Sequence, residues 1–301
     1  MRAELTKEWP SSPGVDHYHA RPANLLRRTH QTSAQLFVQS LADPDMTQPR
    51  FEALVAINKY PGRDQITLAR GLGIDRSTTT LVLDGLAAKG WVERAVHPDD
   101  RRKRVLHATD AGRRTLTAAR AHAEAAETAL LAPLSPAETA GLMAAMIQLV
   151  TTVRSSAPEL AGMVEGQTEG WAPRHVAFLV RRCAQVSHAL LADAGRPFDL
   201  TPQQFGILYI LALADADEAG VSRRANVERS AVEKVLRRLK LRALIERKDE
   251  TLRLTAEGRE TFQTMCGLAR ATDRVLLDSL TPGQRDDFIG GLLKLVEHHQ
   301  A

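Results

Sequence analysis

Arg101, Arg102, Lys103 and Arg104 are four consecutive cations, led in by His97-Pro98-Asp99-Asp100. Such a run can neutralise phosphates and insert an arginine into a narrow, electronegative minor groove. Standing alone, it reads equally well as a solvated loop. Upstream, Arg76, Ser77, Thr78, Thr80 and Leu81 lie close together. These are mostly short hydrogen-bonding side chains with one arginine and one apolar group. Such types reach base edges in a major groove, where longer side chains would hold a helix axis away. Little else in the chain points to catalysis. His107, His122 and the terminal pair His298-His299 have no Asp or Glu at metal-ligand spacing, and there is no glycine-rich phosphate loop or nucleophile motif. We expect no cofactor, no metal and no catalytic residues, and read the chain as a non-enzyme.

These residues need elements to aim them, and residues 68–112 contain the signals for such elements. Leu68, Ala69 and Leu72 give one apolar helical face, and Gly73 supplies a turn. Asp75 or Ser77 can cap a second helix, whose buried side carries Val82, Leu83 and Leu86. Gly90 stops that helix. Trp91 to Val96 and Val105 to Thr109 have strand composition, and Pro98 with the two aspartates suits the turn between them. A helix, a turn, a helix and a basic hairpin in this order read as a winged helix-turn-helix.

The stretch GIDRSTTTLVLDGLAAKGWVER followed by HPDDRRKRVLHATDAGRR resembles the recognition helix and wing of the multiple-antibiotic-resistance regulator (MarR) family. The family's wing pattern, Asp-x-Arg, a strand, then Thr-x-x-Gly-Arg, falls here on Asp100, Arg102, Thr109, Gly112 and Arg113. Leu81 departs from it, since many members carry arginine there. An apolar side chain at that place suits a thymine methyl group.

With 301 residues the chain has room for two domains. Its 44% hydrophobic content with 4% aromatics, rich in Ala, Leu and Arg, predicts a mainly α fold with small β-hairpin wings. No run approaches the roughly 18 apolar residues of a membrane span, and the N-terminus lacks the apolar core of a secretory signal. Two cysteines, Cys183 and Cys266, without metal spacing fit a reducing compartment. A cytoplasmic protein with no membrane partner is expected. Residues 1–154 hold 20 Lys and Arg against 16 Asp and Glu, whereas residues 155–301 hold 20 of each. Attraction to DNA is therefore expected to be uneven.

The pattern then comes again. Leu26-Arg27-Arg28 corresponds to Val180-Arg181-Arg182, and Phe51 to Phe205. Arg76-Ser77 corresponds to Arg229-Ser230, Trp91-Val92-Glu93-Arg94 to Leu244-Ile245-Glu246-Arg247, and Thr109, Gly112 and Arg113 to Thr255, Gly258 and Arg259. Val82, Leu83 and Leu86 become Val235, Leu236 and Leu239. We read residues 1–154 as a winged domain with a basic wing, 155–170 as a small, polar linker, and 171–301 as a second, diverged winged domain. The second hairpin, KDETLRLT, is shorter and has no counterpart to DDRR, and Glu228 and Glu233 replace Asp75 and Thr80. Arg229, Ser230, Lys234, Arg237 and Arg238 remain for DNA, so the second copy binds DNA weakly, reads a different half-site, or serves mainly as a dimerisation surrogate.

The resemblance implies dimerisation through terminal helices. Here the helices from Arg21, Asp110 and Ser135 would pack on those from Pro173, Ala256 and Thr281, making a monomeric pseudo-dimer on a double-stranded DNA operator without excluding a homodimer. It also implies a pocket for a small, aromatic or phenolic effector, with Arg27, Arg28, His30, Arg181, Arg182 and His188 as candidate lining groups. The plainer reading of those side chains is a solvated or salt-bridging face. The function expected is a ligand-responsive repressor. The alternatives are a ligand- or partner-binding protein whose second lobe has lost DNA binding, and a redox sensor using Cys183.

Overall fold

In the computed structural model the described residues are 20–41, 43, 45–97, 104–156, 175–225 and 227–300. The fold is mainly helical with two small antiparallel sheets. In chain order the elements are α1 (Pro22–Ser40), α2 (Gln48–Lys59), β1 (Arg63–Asp64), α3 (Gln65–Leu72), α4 (Arg76–Ala88), β2 (Val92–Val96), β3 (Arg104–Ala108), α5 (Asp110–Leu131) and α6 (Pro136–Ser156). There follow α7 (Val176–Gly195), a short 3-10 turn (Arg196–Phe198), α8 (Pro202–Leu213), α9 (Glu218–Ala225), α10 (Arg229–Leu241), β4 (Ile245–Lys248), β5 (Thr251–Leu254), α11 (Ala256–Leu277) and α12 (Pro282–Gln300). The order three helices, hairpin, two helices thus occurs twice, from α2 and from α8. Among the described residues no single helix is long and apolar enough to cross a membrane.

Two compact units share the chain, and each contains one hairpin. The first comprises Leu25–Val186 and Ser279–Ala301. Its core is built from the expected apolar stripe: Leu83 and Leu86 are fully buried on α4, and Phe51, Leu54, Trp91 and Leu106 close around them. A strand that periodicity did not announce, β1, pairs with β3 through Arg63 opposite Leu106 and Asp64 opposite Val105, giving the order β1-β3-β2. Two residues are too few to show alternation, so only the pairing reveals it. The last helix, α12, lies along α6, where Gly291 lets the backbone approach Leu142.

The second unit comprises the residues up to Asn24 and Ser187–Asp278. Leu236 and Leu239 on α10 pack with Phe205, Leu208, Tyr209 and Leu252. Val235 is only partly buried at the rim of this core. The place taken by β1 in the first unit is held here by a single bridge, Ala216 to Leu252.

Candidate nucleic-acid interface and the cavity behind it

Two turns of local chemistry aim α4. Asp64 caps α3 by accepting from the Thr67 amide at 2.7 Å, and α3 ends on Gly73 at φ +62, a left-handed conformation that favours glycine. Asp75 then caps α4, accepting from the Thr78 amide at 2.9 Å and from the hydroxyls of Ser77 and Thr78. The Ser77 hydroxyl, followed by that of Thr78, holds the Asp75 carboxyl well below the usual carboxylate range. Ser77 and Thr78 therefore spend their donors on the cap. Arg76, Thr80 and Leu81 are exposed, Leu81 at 71%. Thr80 accepts from Gln65 Nε2 at 2.9 Å, which adds Gln65 to this surface. Sequence reasoning missed Gln65 because it stands at the first position of the preceding helix and lacks its own periodic signal. Asp84 on the same helix pairs with Arg94 of β2 at 2.5 Å.

Because the folded value for Asp75 is lowered, its charge stabilises the fold fully above the ordinary carboxyl pKa of about 4, and that contribution is lost as pH falls through the folded value. Asp75→Asn keeps a capping oxygen and removes the charge. The difference in thermal stability between wild type and this variant is expected to be constant near neutrality and to close on acidification. A difference that stays constant into acid contradicts the assignment.

The hairpin runs in strict antiparallel register from Val92 opposite Ala108 to Val96 opposite Arg104. Arg104 is exposed at its outer end. Arg101, Arg102 and Lys103 lie outside the described residues. At the inner end the Thr-x-x-Gly-Arg pattern acquires a physical reason. Thr109 Oγ1 accepts from the Gly112 amide at 3.0 Å and donates to the Gly90 carbonyl at 2.6 Å, which ties the start of α5 to the end of α4. A Cβ on Gly112 would run into the Trp91 carbonyl, and Arg113 donates to the Ala108 carbonyl at 2.5 Å.

The second unit repeats this junction with Thr255, Gly258 and Arg259, where Thr255 Oγ1 donates to the Ala243 carbonyl at 2.7 Å and Arg259 to the Leu254 carbonyl at 2.9 Å. Its presenting surface differs. Only Asp249 and Glu250 separate the paired Lys248 and Thr251, with Asp249 at φ +53, so the hairpin ends in a tight acidic turn. Arg229, Ser230, Lys234 and Arg237 are all exposed on α10. Arg229 pairs with Glu233 at 3.2 Å, and Ser230 donates to Glu228 at 3.0 Å. Glu228 stands where Asp75 stands in the first unit, but makes no side-chain capping bond, as its longer side chain suits this position poorly.

Behind α4, the first unit gathers a buried polar cluster. Glu52 on α2 accepts from Arg181 of α7 at 2.5 Å, with both side chains less than one-tenth exposed. Arg181 also donates to the Leu72 carbonyl at 2.8 Å, and Gln185 to the Gly73 carbonyl at 2.6 Å. Arg182, fully buried, bonds to Gln185 at 2.8 Å and crowds Gly73; burial pulls its guanidinium down to about 10. Thus α7 grips the turn between the two helices of the motif. His30 is pushed below the usual imidazole range, first by burial and then by Arg181, with Glu52 opposing, and its Nδ1 has no hydrogen-bond partner. The structure therefore brings together His30, Arg181 and Arg182. Arg27 instead bonds to Gln31 at 3.0 Å, Arg28 is partly buried on the same helix, and His188 is exposed in the second unit.

Beside this cluster is a cavity of about 30 Å³, whose walls include Phe37, Phe51, Phe178, Gln48, Glu127 and His175. That is about the space of one water. His175 Nδ1 lies 2.6 Å from Glu127, which also accepts from the Val176 amide at 3.1 Å and so anchors the start of α7. Sequence reasoning missed Gln48, Glu52, Glu127 and His175, each of which reads locally as an isolated polar residue. Cys183 is fully buried, and burial pushes its thiol up to about 12; Cys266 is pushed to about 11 by the same cause. Thiolate chemistry is disfavoured at both.

The MarR family model matches residues 46–103, from the start of α2 into the wing. Over 116 residues the chain is 28% identical to the HTH-type transcriptional repressor NicR of Pseudomonas putida, covering 37% of this chain and 73% of that protein. It is 32% identical over 90 residues to the transcriptional regulator HosA of Escherichia coli O111:H-, covering 28% of this chain and 67% of HosA. Among solved structures it resembles the PcaV transcriptional regulator of Streptomyces coelicolor in complex with its natural ligand, at 31% identity, covering 40% of this chain and 84% of PcaV, with a TM-score of 0.38.

Proposed function

The chain belongs to the MarR family, and from that premise we propose that it is a DNA-binding transcriptional repressor, built as an intramolecular pseudo-dimer and released from its operator by a small aromatic or phenolic effector. The observation that carries this reading is the outward face of α4. Arg76, Thr80 and Leu81 are exposed on a helix whose opposite face, Leu83 and Leu86, is locked in the core. A rigidly backed helix with a short-chained outer face is what the major groove admits. Arg101, Arg102 and Arg104 serve the wing contacts, and Ser77 and Thr78 flank the groove through their remaining lone pairs.

Residues 1–154 and 171–301 are, in this proposal, two copies joined by 155–170, so that a high effective concentration replaces bimolecular dimerisation. Arg229, Ser230, Lys234 and Arg237 give the second copy a weaker, differently read half-site. Its short acidic turn favours an asymmetric footprint, because carboxylates repel phosphates and the basic wing has no counterpart there. The effector acts from the cavity near His30, Arg181 and Arg182 through α7, whose bonds to the Leu72 and Gly73 carbonyls set the position of the turn before α4.

Selection of genomic fragments on the full-length protein, followed by footprinting at physiological salt, tests the reading. Two unequal protected half-sites about one turn apart are expected. No enrichment overturns it. Arg102→Ala is expected to lower operator affinity and to flatten its dependence on salt by roughly one unit of slope, the signature of one lost phosphate contact. An unchanged slope removes Arg102 from the interface.

A further inference from the structure

Residues that line the first unit's cavity have counterparts in the second unit, and there Arg21 packs among them. Arg21, 4% exposed, donates to both carboxylate oxygens of Asp273 at 2.8 and 3.1 Å and to the Ala269 carbonyl at 3.3 Å, with its guanidinium 5.6 Å from the centre of the Phe205 ring. In the sequence repeat Phe205 corresponds to Phe51, Ala269 to Ala123, Asp273 to Glu127 and Arg21 to His175. Those four counterparts all line the cavity of the first unit. There the shorter imidazole of His175 reaches Glu127 but leaves space beside the Phe51 ring.

Among the described residues lining that space, the buried polar atom without a partner is an acceptor. Gln48 donates to Glu52 at 3.1 Å through Nε2, so its buried Oε1 remains and has no partner. Glu52 lines it too but is already taken by Gln48 and Arg181, Glu127 is held by His175 and the Val176 amide, and Phe37, Phe51 and Phe178 add aromatic walls. Once His175 moves off, Glu127 and the Gln48 Oε1 offer an incoming group acceptors alone, which a flat donor can use and a benzoate-like anion cannot.

Building on the effector reading above, we propose that the first unit's cavity takes one planar cation, an amidinium, a guanidinium or a protonated aromatic amine. It stacks on Phe51 and donates to Glu127 and Gln48, as the Arg21 guanidinium does to Asp273 and Ala269. Arg21 permanently occupies the matching place in the second unit, so each chain binds a single effector. A ring is admitted as His175, whose side chain is 23% exposed, swings away from Glu127. Glu127 also holds the Val176 amide, so an occupant that engages its carboxylate acts directly on the start of α7 and hence on the grip of Arg181 and Gln185 at the turn before α4.

Calorimetric titration of the full-length protein with benzamidine and, separately, with benzoate compares the same ring with opposite charges. Benzamidine is expected to bind once per chain, and benzoate at least about tenfold more weakly. Glu127→Gln, which still accepts from Val176, is expected to weaken benzamidine by about tenfold or more. Arg21→Ala is expected to raise the stoichiometry to two by opening the chamber at Asp273. If that variant does not fold, the benzamidine–benzoate comparison and Glu127→Gln decide alone. Absent benzamidine binding, tighter binding of benzoate, two sites in the wild type, or indifference to Glu127→Gln each overturns the proposal. The effector reading is scored separately by operator affinity. Benzamidine bound as described with unchanged DNA affinity defeats that reading and leaves the site standing, whereas release of DNA by benzoate keeps the reading and defeats the cation.

Discussion

Glu52→Ala is expected to destabilise the protein by about 3–5 kcal/mol, the usual result of stranding one partner of a buried ion pair. The carboxylate is 5% exposed and the Arg181 side chain 8%, with 2.5 Å between them. Removing the acid leaves a guanidinium in the core with only the Leu72 carbonyl to accept from it, apart from a ring contact with Phe178 at 5.2 Å. The double variant Glu52→Leu with Arg181→Met is expected to recover most of the lost stability, because apolar replacement of the whole pair removes the desolvation penalty together with the attraction. On the function proposed above it should bind DNA less tightly than wild type, since the Arg181 bond to the Leu72 carbonyl is lost and only Gln185 still holds the turn before α4. Urea unfolding of the three proteins measures the first two effects. A shift for Glu52→Ala below about 1 kcal/mol, the range of exposed pairs, would show that the pair is solvated.

Gly112→Ala is the second large effect. In both units the glycine stands three residues after a capping threonine, against the carbonyl of Trp91 or Leu244. A methyl group cannot share that space with a backbone oxygen, so the first turn of α5 has to move away from the hairpin. A cost of about 1–3 kcal/mol is expected, typical of overpacking. Gly258→Ala should show the same cost. Gly267, in the middle of α11 with open space around the site of a Cβ, is the control: Gly267→Ala is expected to stabilise by about 0.5–1 kcal/mol through helix propensity. DNA affinity separates the two junctions, because only Gly112→Ala displaces the hairpin that bears Arg104. Equal stability of Gly112→Ala and Gly267→Ala would contradict the close approach.

Where the signals are local, residues and structure agree closely. Asp75 and Gly73 bound the turn as their chemistry requires, the one by accepting from N–H groups at the start of α4 and the other by tolerating φ +62. The hairpin strands fall within a residue of their composition, and the helix expected over residues 21–42 spans Pro22–Ser40. Cys183, which its neighbours in the chain leave open as a reactive thiol or a small apolar group, is buried, whereas Cys266 is half-buried.

Residue types and their spacing were enough to read the family, the mainly α class and the helix-turn-helix with its hairpin. Each of these rests on caps, turns and periodicities that act within about a dozen residues. Which polar side chains meet depends on how distant helices pack. Glu52 and Arg181 are 129 residues apart, His175 and Glu127 are 48, and Arg21 and Asp273 are 252. Nothing in the neighbourhood of any of them distinguishes a buried partner from a solvated charge. The distinction arises when helices from distant parts of the chain pack and exclude water, because only then does an unpaired charge become costly enough to dictate its neighbour.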